Sequence, residues 1–254
     1  MLGCAITLVM VTLLAGMKTP DGRLHMHVLD VGQGDATLIE SPTGVRVLID
    51  SGPDLVLLER LSKLLPFYER HIDLLILTRV VRERLGAFPE IMKRFSVGAV
   101  LLPTTSSSHS FHQWLLAEMQ NHHTPLLPPQ RQNINIGGSS LEVRPVGASL
   151  LLRLRHGSGD TLFMQSITSA EERLLLKSGT DLHADILLAP RHGSRTGTTD
   201  ALLRRVQPKT AVISVGRDAP YGYPHDEVLE RLTKSGIAIR RTDKEGSLYF
   251  VFPH

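Results

Sequence analysis

Residues 72–77 (IDLLIL) form a short, nearly continuous apolar run, the pattern of a strand buried on both faces. The run ends at Thr78, and the polarity reverses at once into Arg79, Arg82, Glu83 and Arg84. Leu85, Gly86, Ala87 and Phe88 then lead into a helical pattern over residues 89–95. In open α/β sheets, ligands sit in the crevice outside the carboxyl ends of the strands. Chemistry is therefore expected just past Thr78, where the chain offers four charges and no obvious catalyst.

The flanking chain supplies partners for that strand. Residues 24–31, 35–41 and 45–49 read as strands, with Pro42-Thr43-Gly44 a turn between the last two. Asp54 is placed to cap an apolar-periodic helix over residues 55–65. After the central strand come a helix, a strand over 98–102, a helix over 111–120 and a Pro-rich loop over 124–132. Strands over 134–136, 141–146, 149–155 and 160–164 make a meander. The remainder alternates: helix 170–177, strand 185–189, helix 199–206, strand 210–215, helix 226–234, and strands 237–241 and 247–252. Strands early and helices after, twice over, imply two sheets packed face to face with helices outside. The expected fold is α/β, a four-layer αββα sandwich.

Composition narrows the function classes. With 42% hydrophobic and 21% charged residues over 254 positions, the chain can bury a substantial core and is not globally disordered. A net charge of +3 permits contact with nucleic acid or an anionic surface without arguing for it. Cys4 is the single cysteine, so neither an intrachain disulfide nor a cysteine-based zinc finger can form. His109 and His112 are three apart near the helix over 111–120, but no carboxylate or third ligand accompanies them, and a solvated helix is expected.

Residues 2–16 are apolar throughout, and Lys18 and Arg23 follow. Those fifteen residues fall short of the roughly 20 needed to span a bilayer. No basic n-region precedes them, and Ala15-Gly16-Met17 is a poor cleavage site. Residues 1–23 are expected to be a membrane-proximal segment, the end of a transmembrane helix or a short anchor, and residues 24–254 the folded domain.

Four stretches, in order, match one family. LDVGQGDA (Leu29 to Ala36), LIDSG (Leu48 to Gly52), ADILLAPRHGS (Ala184 to Ser194) and ISVG…YGYPH…RTD (from Ile213 to Asp243) stand in this chain. Together they resemble the metallo-β-lactamase-fold domain of ComEC-type DNA-internalisation proteins. The resemblance implies the αββα sandwich, attachment to a membrane channel segment on the extracytoplasmic side, and single-stranded DNA as a partner. It also implies zinc or manganese, held by a T-H-x-D/H-x-D-H-x-G-G motif after the central strand.

That ligand set is replaced here. The two histidines of the motif fall on Arg79 and Arg84, the middle ligand on Val81 and the aspartate on Glu83. The family's PHHGS reads Pro190-Arg191-His192-Gly193-Ser194, its bridging aspartate falls on Ser166, and the histidine of its YGHP falls on Tyr223. Gly34, Asp50, Gly86, His192 and His225 keep the pattern. Arginine offers no lone pair and is not a ligand. Each guanidinium near a cation repels it by about 4 kcal/mol per charge product at 4 Å and an effective dielectric of about 20. No metal or other cofactor is therefore expected, although the family resemblance brings zinc or manganese with it.

Two readings of the site remain. In the first, Arg79, Arg84 and Arg191 face Asp50 and Glu83, either as a salt-bridged plug or as an open, metal-free anion site for a DNA phosphate. Aromatic residues are only 5%, so a stacking platform has little support. In the alternative, the chain is an active phosphodiesterase or nuclease using Glu83, His192 and His225 as acid–base groups. His192 lies in a turn past a strand end, where a backbone-bonded histidine is the plainer expectation, and no G-x-S-x-G elbow is present. Asp30 and Asp35 flank Gly32-Gln33-Gly34, which lacks the third glycine and the helix of a dinucleotide site. Those glycines are expected to let the backbone turn tightly beside the site.

Overall fold

The computed structural model describes residues 20–104 and 109–253. The apolar stretch over residues 2–16 and the His109/His112 pair of side chains lie outside what is described.

Alternation builds the first sheet. β1 (Leu24–Val28), β2 (Thr37–Glu40) and β3 (Arg46–Ile49) run antiparallel to their neighbours. The direction then changes. β3 pairs in parallel with β4 (His71–Ile76), β4 with β5 (Ser96–Leu101), and β5 with the short β6 (Leu126–Leu127). The parallel crossovers carry α1 (Val56–Leu64), a single turn α2 (Arg82–Leu85), α3 (Phe88–Arg94) and α4 (His109–Asn121).

The second half repeats the plan. β7 (Gln132–Ile136), β8 (Ser139–Val146), β9 (Ser149–His156) and β10 (Gly159–Phe163) form an antiparallel meander. β11 (Ile186–Leu188), β12 (Thr210–Ile213) and β13 (Ala238–Arg241) then add in parallel. Between and beyond them lie α5 (Ser169–Lys177), α6 (Asp200–Val206), α7 (Asp226–Lys234) and a single turn α8 (Thr242–Glu245). The last strand, β14 (Leu248–Phe252), returns to the first sheet and pairs antiparallel with β1. Each sheet has seven strands, in the orders 14-1-2-3-4-5-6 and 13-12-11-10-9-8-7.

Side-chain alternation divides the apolar residues into three layers. Met26, Ile39, Ile49 and Ile76 of the first sheet pack on Leu141, Leu152, Phe163 and Val212 of the second, between the sheets. Leu38, Leu48, Leu75 and Val100 point the other way, onto Leu57, Leu61, Phe88, Ile91 and Leu115 of α1, α3 and α4. Leu162, Leu187 and Ile213 meet Leu175, Leu202, Val228 and Leu232 of α5, α6 and α7. Each such side chain, fully buried, contributes about 1.5–3 kcal/mol. This is the αββα sandwich that the pattern predicts.

The strand read over residues 24–31 stops at Val28, because the turn around Gly32 pulls Asp30 toward the Ser247 hydroxyl and the Gly32 amide. The Pro-rich stretch over 124–132 is not all loop: Leu126 and Leu127 add the edge strand β6. Asp54 does accept from the Val56 amide at 2.9 Å, but the position that caps α1 is Leu55.

Candidate functional site

The carboxyl ends of β3, β4, β10, β11 and β12 meet at one edge of the sandwich. They surround a cleft of about 220 Å³ lined by Arg79, Glu83, Arg84, Gln165, Arg191 and His192, with Tyr221 and Tyr223 at its mouth. Val81 and Ser166 line it too. The positions where the family motif would place ligands therefore gather in one place.

Asp50 ends β3 and forms the floor. Its φ of 60° puts it in the left-handed region, which aspartate tolerates better than most residues. Its carboxylate accepts from the Thr78 amide at 2.7 Å, from Thr78 Oγ1 at 2.6 Å and from Arg84 Nη1 at 2.7 Å. The same Nη1 lies 2.8 Å from Oδ2 of Asp35, an ion pair whose angle is not that of a hydrogen bond, and both Asp35 oxygens have no hydrogen-bond partner. Arg84 is 4% exposed, Asp35 1% and Asp50 0%. Two buried carboxylates thus share one buried guanidinium. Burial pushes the Asp50 carboxyl pKa up, and Asp35 adds to the rise, while Arg84 opposes it. Arg84 in turn is held charged: burial lowers its pKa, but Asp35 and Asp50 more than reverse that and the net shift is upward.

The backbone is drawn tight around this cluster. Ser51 donates from its amide and hydroxyl to the Arg84 carbonyl at 2.9 and 2.8 Å, and Gly86 donates to the Gly52 carbonyl at 2.8 Å. A Cβ on Gly86 would lie 1.9 Å from the Pro53 carbonyl oxygen. One on Gly34 would lie 2.6 Å from Pro53 Cδ and 2.7 Å from the Glu83 carbonyl oxygen. The tight turn expected at Gly32-Gln33-Gly34 is present, with Gly32 at φ 74° and Gly34 making the close approach; Gly86 adds a second one.

Arg79 makes a second tie, between the halves. Its backbone bridges to Ser149, and Nη1 donates to Ser149 Oγ at 2.8 Å and Glu171 Oε2 at 3.1 Å. Glu171 is buried and also closes the capping box of α5, accepting from the Thr168 amide at 2.8 Å.

Arg191 differs from both. It sits in the left-handed region (φ 48°) in the turn after β11, exposed, and its guanidinium forms no ion pair among the described residues. His192 follows with φ 56°, buried, its Nδ1 donating to the Ser214 carbonyl at 2.8 Å. That bond fixes the tautomer and leaves Nε2 for the cleft. The plainer expectation for His192, a turn histidine held by backbone, is the one observed.

Two expectations fail. Glu83 lines the cleft but is exposed and forms no ion pair among the described residues; Asp35 and Glu171 take the partner's role assigned to it. His225 does not line the cleft: it stands behind Tyr223, edge-on at 5.1 Å, with Nδ1 accepting from the Arg195 amide at 3.3 Å. Sequence reasoning also missed Glu171. Thr168 to Glu171 is the T-x-x-E signature of a helix start, which announces the cap but not the ion pair.

A catalytic divalent ion needs three or more lone-pair donors with an open position. Arg84 occupies the space between the two carboxylates that remain, and Arg79, Val81, Ser166 and Arg191 stand where donors would be. Among the described residues no group of three or more His, Cys, Asp and Glu is placed to hold a metal ion. The residues present do not fit one.

Comparison with known proteins agrees with the motifs. No family model matches the chain. ComE operon protein 3 of Bacillus subtilis (strain 168) is 24% identical over 259 residues, covering 89% of this chain and 33% of that protein. Competence protein ComA of Neisseria gonorrhoeae is 28% identical over 258 residues, 94% of this chain and 35% of that protein. The chain therefore spans about a third of the length of these relatives. Among solved structures, the metallo-β-lactamase fold protein YhfI from Bacillus subtilis superposes with a TM-score of 0.63 at 13% identity, over 90% of this chain and 100% of that one. The chain has the metallo-β-lactamase fold and is similar to these two relatives over most of its own length.

Proposed function

We propose that this domain serves DNA uptake as a metal-free, non-catalytic module. It would be membrane-attached on the extracytoplasmic side, beside a membrane channel segment and in contact with single-stranded DNA. The observation that carries the reading is Arg84 Nη1, 2.7 Å from Asp50 and 2.8 Å from Asp35. Two buried carboxylates at this edge require a counter-charge, and a guanidinium supplies it without a metal. Unlike a bound Zn²⁺, it cannot lower the pKa of a water to make hydroxide near neutral pH. The competence name of one relative and the similarity over most of this chain support the DNA-uptake role. No helix among the described residues is long and apolar enough to cross a membrane, so attachment would rest with residues 1–23 or with a neighbouring segment.

The test is elemental analysis of protein expressed with excess zinc and manganese, alongside hydrolysis of single-stranded DNA. The expected result is no stoichiometric ion and no metal-dependent cleavage. One ion or more per chain, lost on His192→Ala, would overturn the reading.

A further inference from the structure

We propose that the cleft above the Arg84 floor seats one nucleotide of a single strand, with its phosphate on Arg191 and its base on Tyr221. The inference rests on the DNA-contact reading and names where and how that contact is made. Three observations lead to it.

The first is that the arginines of the cleft are not alike. Arg84 and Arg79 are spent on Asp35, Asp50 and Glu171, whereas Arg191 is exposed, forms no ion pair among the described residues and faces the same space. A guanidinium fork of this kind suits a phosphate bidentately. Among the described residues Glu83 is the one carboxylate lining the cleft, and it is exposed.

The second is Gln165. It is 3% exposed, lines the cleft, and its Oε1 is buried with no hydrogen-bond partner. No side-chain bond of Gln165 is made among the described residues, so an amide with both a donor and an acceptor waits at the wall. A buried polar group left unpaired is costly, and a ligand carrying phosphate oxygens and base amino groups satisfies either orientation of the amide.

The third is the mouth. Tyr221 is 81% exposed, and its ring lies 6.0 Å from Tyr223, which leans on His192 at 6.3 Å and His225 at 5.1 Å. An exposed ring braced from behind by others offers a flat face to a base, and stacking of this kind tolerates any base. The low aromatic content argued against such a platform; the structure brings two of the chain's four tyrosines to this one rim. Phosphate alone would also suit Arg191, so the base is what separates a nucleotide from other phosphate-bearing ligands.

The experiment is fluorescence anisotropy of the full chain with a short single-stranded oligodeoxynucleotide, an abasic oligomer of equal length, and inorganic phosphate as competitor. Tyr221→Ala should weaken binding of the normal strand by roughly tenfold and leave the abasic strand unchanged. Arg191→Gln should weaken both strands and lower the slope of log affinity against log salt by about one counterion. Thermal melts of both variants should match the parent, since both side chains are exposed. Strong binding that ignores both substitutions would sink this inference while leaving DNA contact intact. Equal losses on normal and abasic strands with Tyr221→Ala would sink the base-stacking part and leave a phosphate seat only. No binding of the parent chain to any strand would remove the DNA-contact reading itself, and this inference with it.

Discussion

The floor and the rim of the cleft use the same side chain under opposite conditions. Arg84 is buried between two carboxylates, and Arg191 is exposed with no ion pair among the described residues. Both stand where the family pattern carries histidine. At the floor, desolvation makes the guanidinium indispensable to its neighbours, because Asp35 and Asp50 have no access to water. At the rim, water solvates the charge, and no ion pair among the described residues depends on it. Arg79 lies between these cases, part-buried and tied to Glu171. Burial, more than residue type, separates an arginine locked among carboxylates from one open to solvent.

That contrast can be broken by stability measurements. Arg84→Gln should cost about 3–5 kcal/mol in urea unfolding, because two buried carboxylates are left without a cation. A loss below about 1 kcal/mol would mean that the cluster is hydrated and that burial is not the deciding factor. Arg79→Gln should cost about 1.5 kcal/mol, since Glu171 keeps its bonds to the Thr168 amide, Ser149 and the Ala148 amide.

A smaller effect should appear with pH. Burial raises the Asp50 pKa in the folded chain, so the folded state takes up a proton before the unfolded one does. Stability from this group therefore rises as pH falls through the folded value, and levels off near the unfolded value of about 3.9. Asp50→Asn removes the titration. The difference in unfolding free energy between parent and Asp50→Asn should shift toward the parent as pH falls from neutral toward about 4. A shift the other way would mean that Arg84 holds the carboxylate ionised more firmly than burial opposes it. Smallest of all, Arg191→Gln should change stability by less than about 0.5 kcal/mol. A larger loss would place Arg191 with the floor and not with the rim.

The layers were legible before any coordinates, because a two-residue period sorts side chains onto faces whatever the partner turns out to be. Leu38 and Leu48 against Ile39 and Ile49 is such a case: each pair of neighbours separates into the helix-facing and the sheet-facing layer. The motifs around Gly34, Asp50, Thr78 and His192 marked the edge at which the site lies, since loops at the carboxyl ends of strands converge in this class of sheet. That the arginines at these positions are not themselves metal ligands was equally legible, because arginine has no lone pair in any fold.

The partners of the charges were not legible. Glu83 stands next to Arg84 in the chain, yet adjacent positions on a helical turn do not face each other. With Arg84 turned inward to Asp50, Glu83 is turned to solvent. Asp35 and Glu171 reach the arginines because the β1–β2 turn and the start of α5 arrive at the same edge from distant parts of the chain. The sequence by itself determined the alternation, the layers and the residue types that meet at the cleft. Only the tertiary structure decided which arginines of the cleft are neutralised and which is exposed to water, because an ion pair is a matter of distance and desolvation, and both are set by how the two sheets bring their loops together.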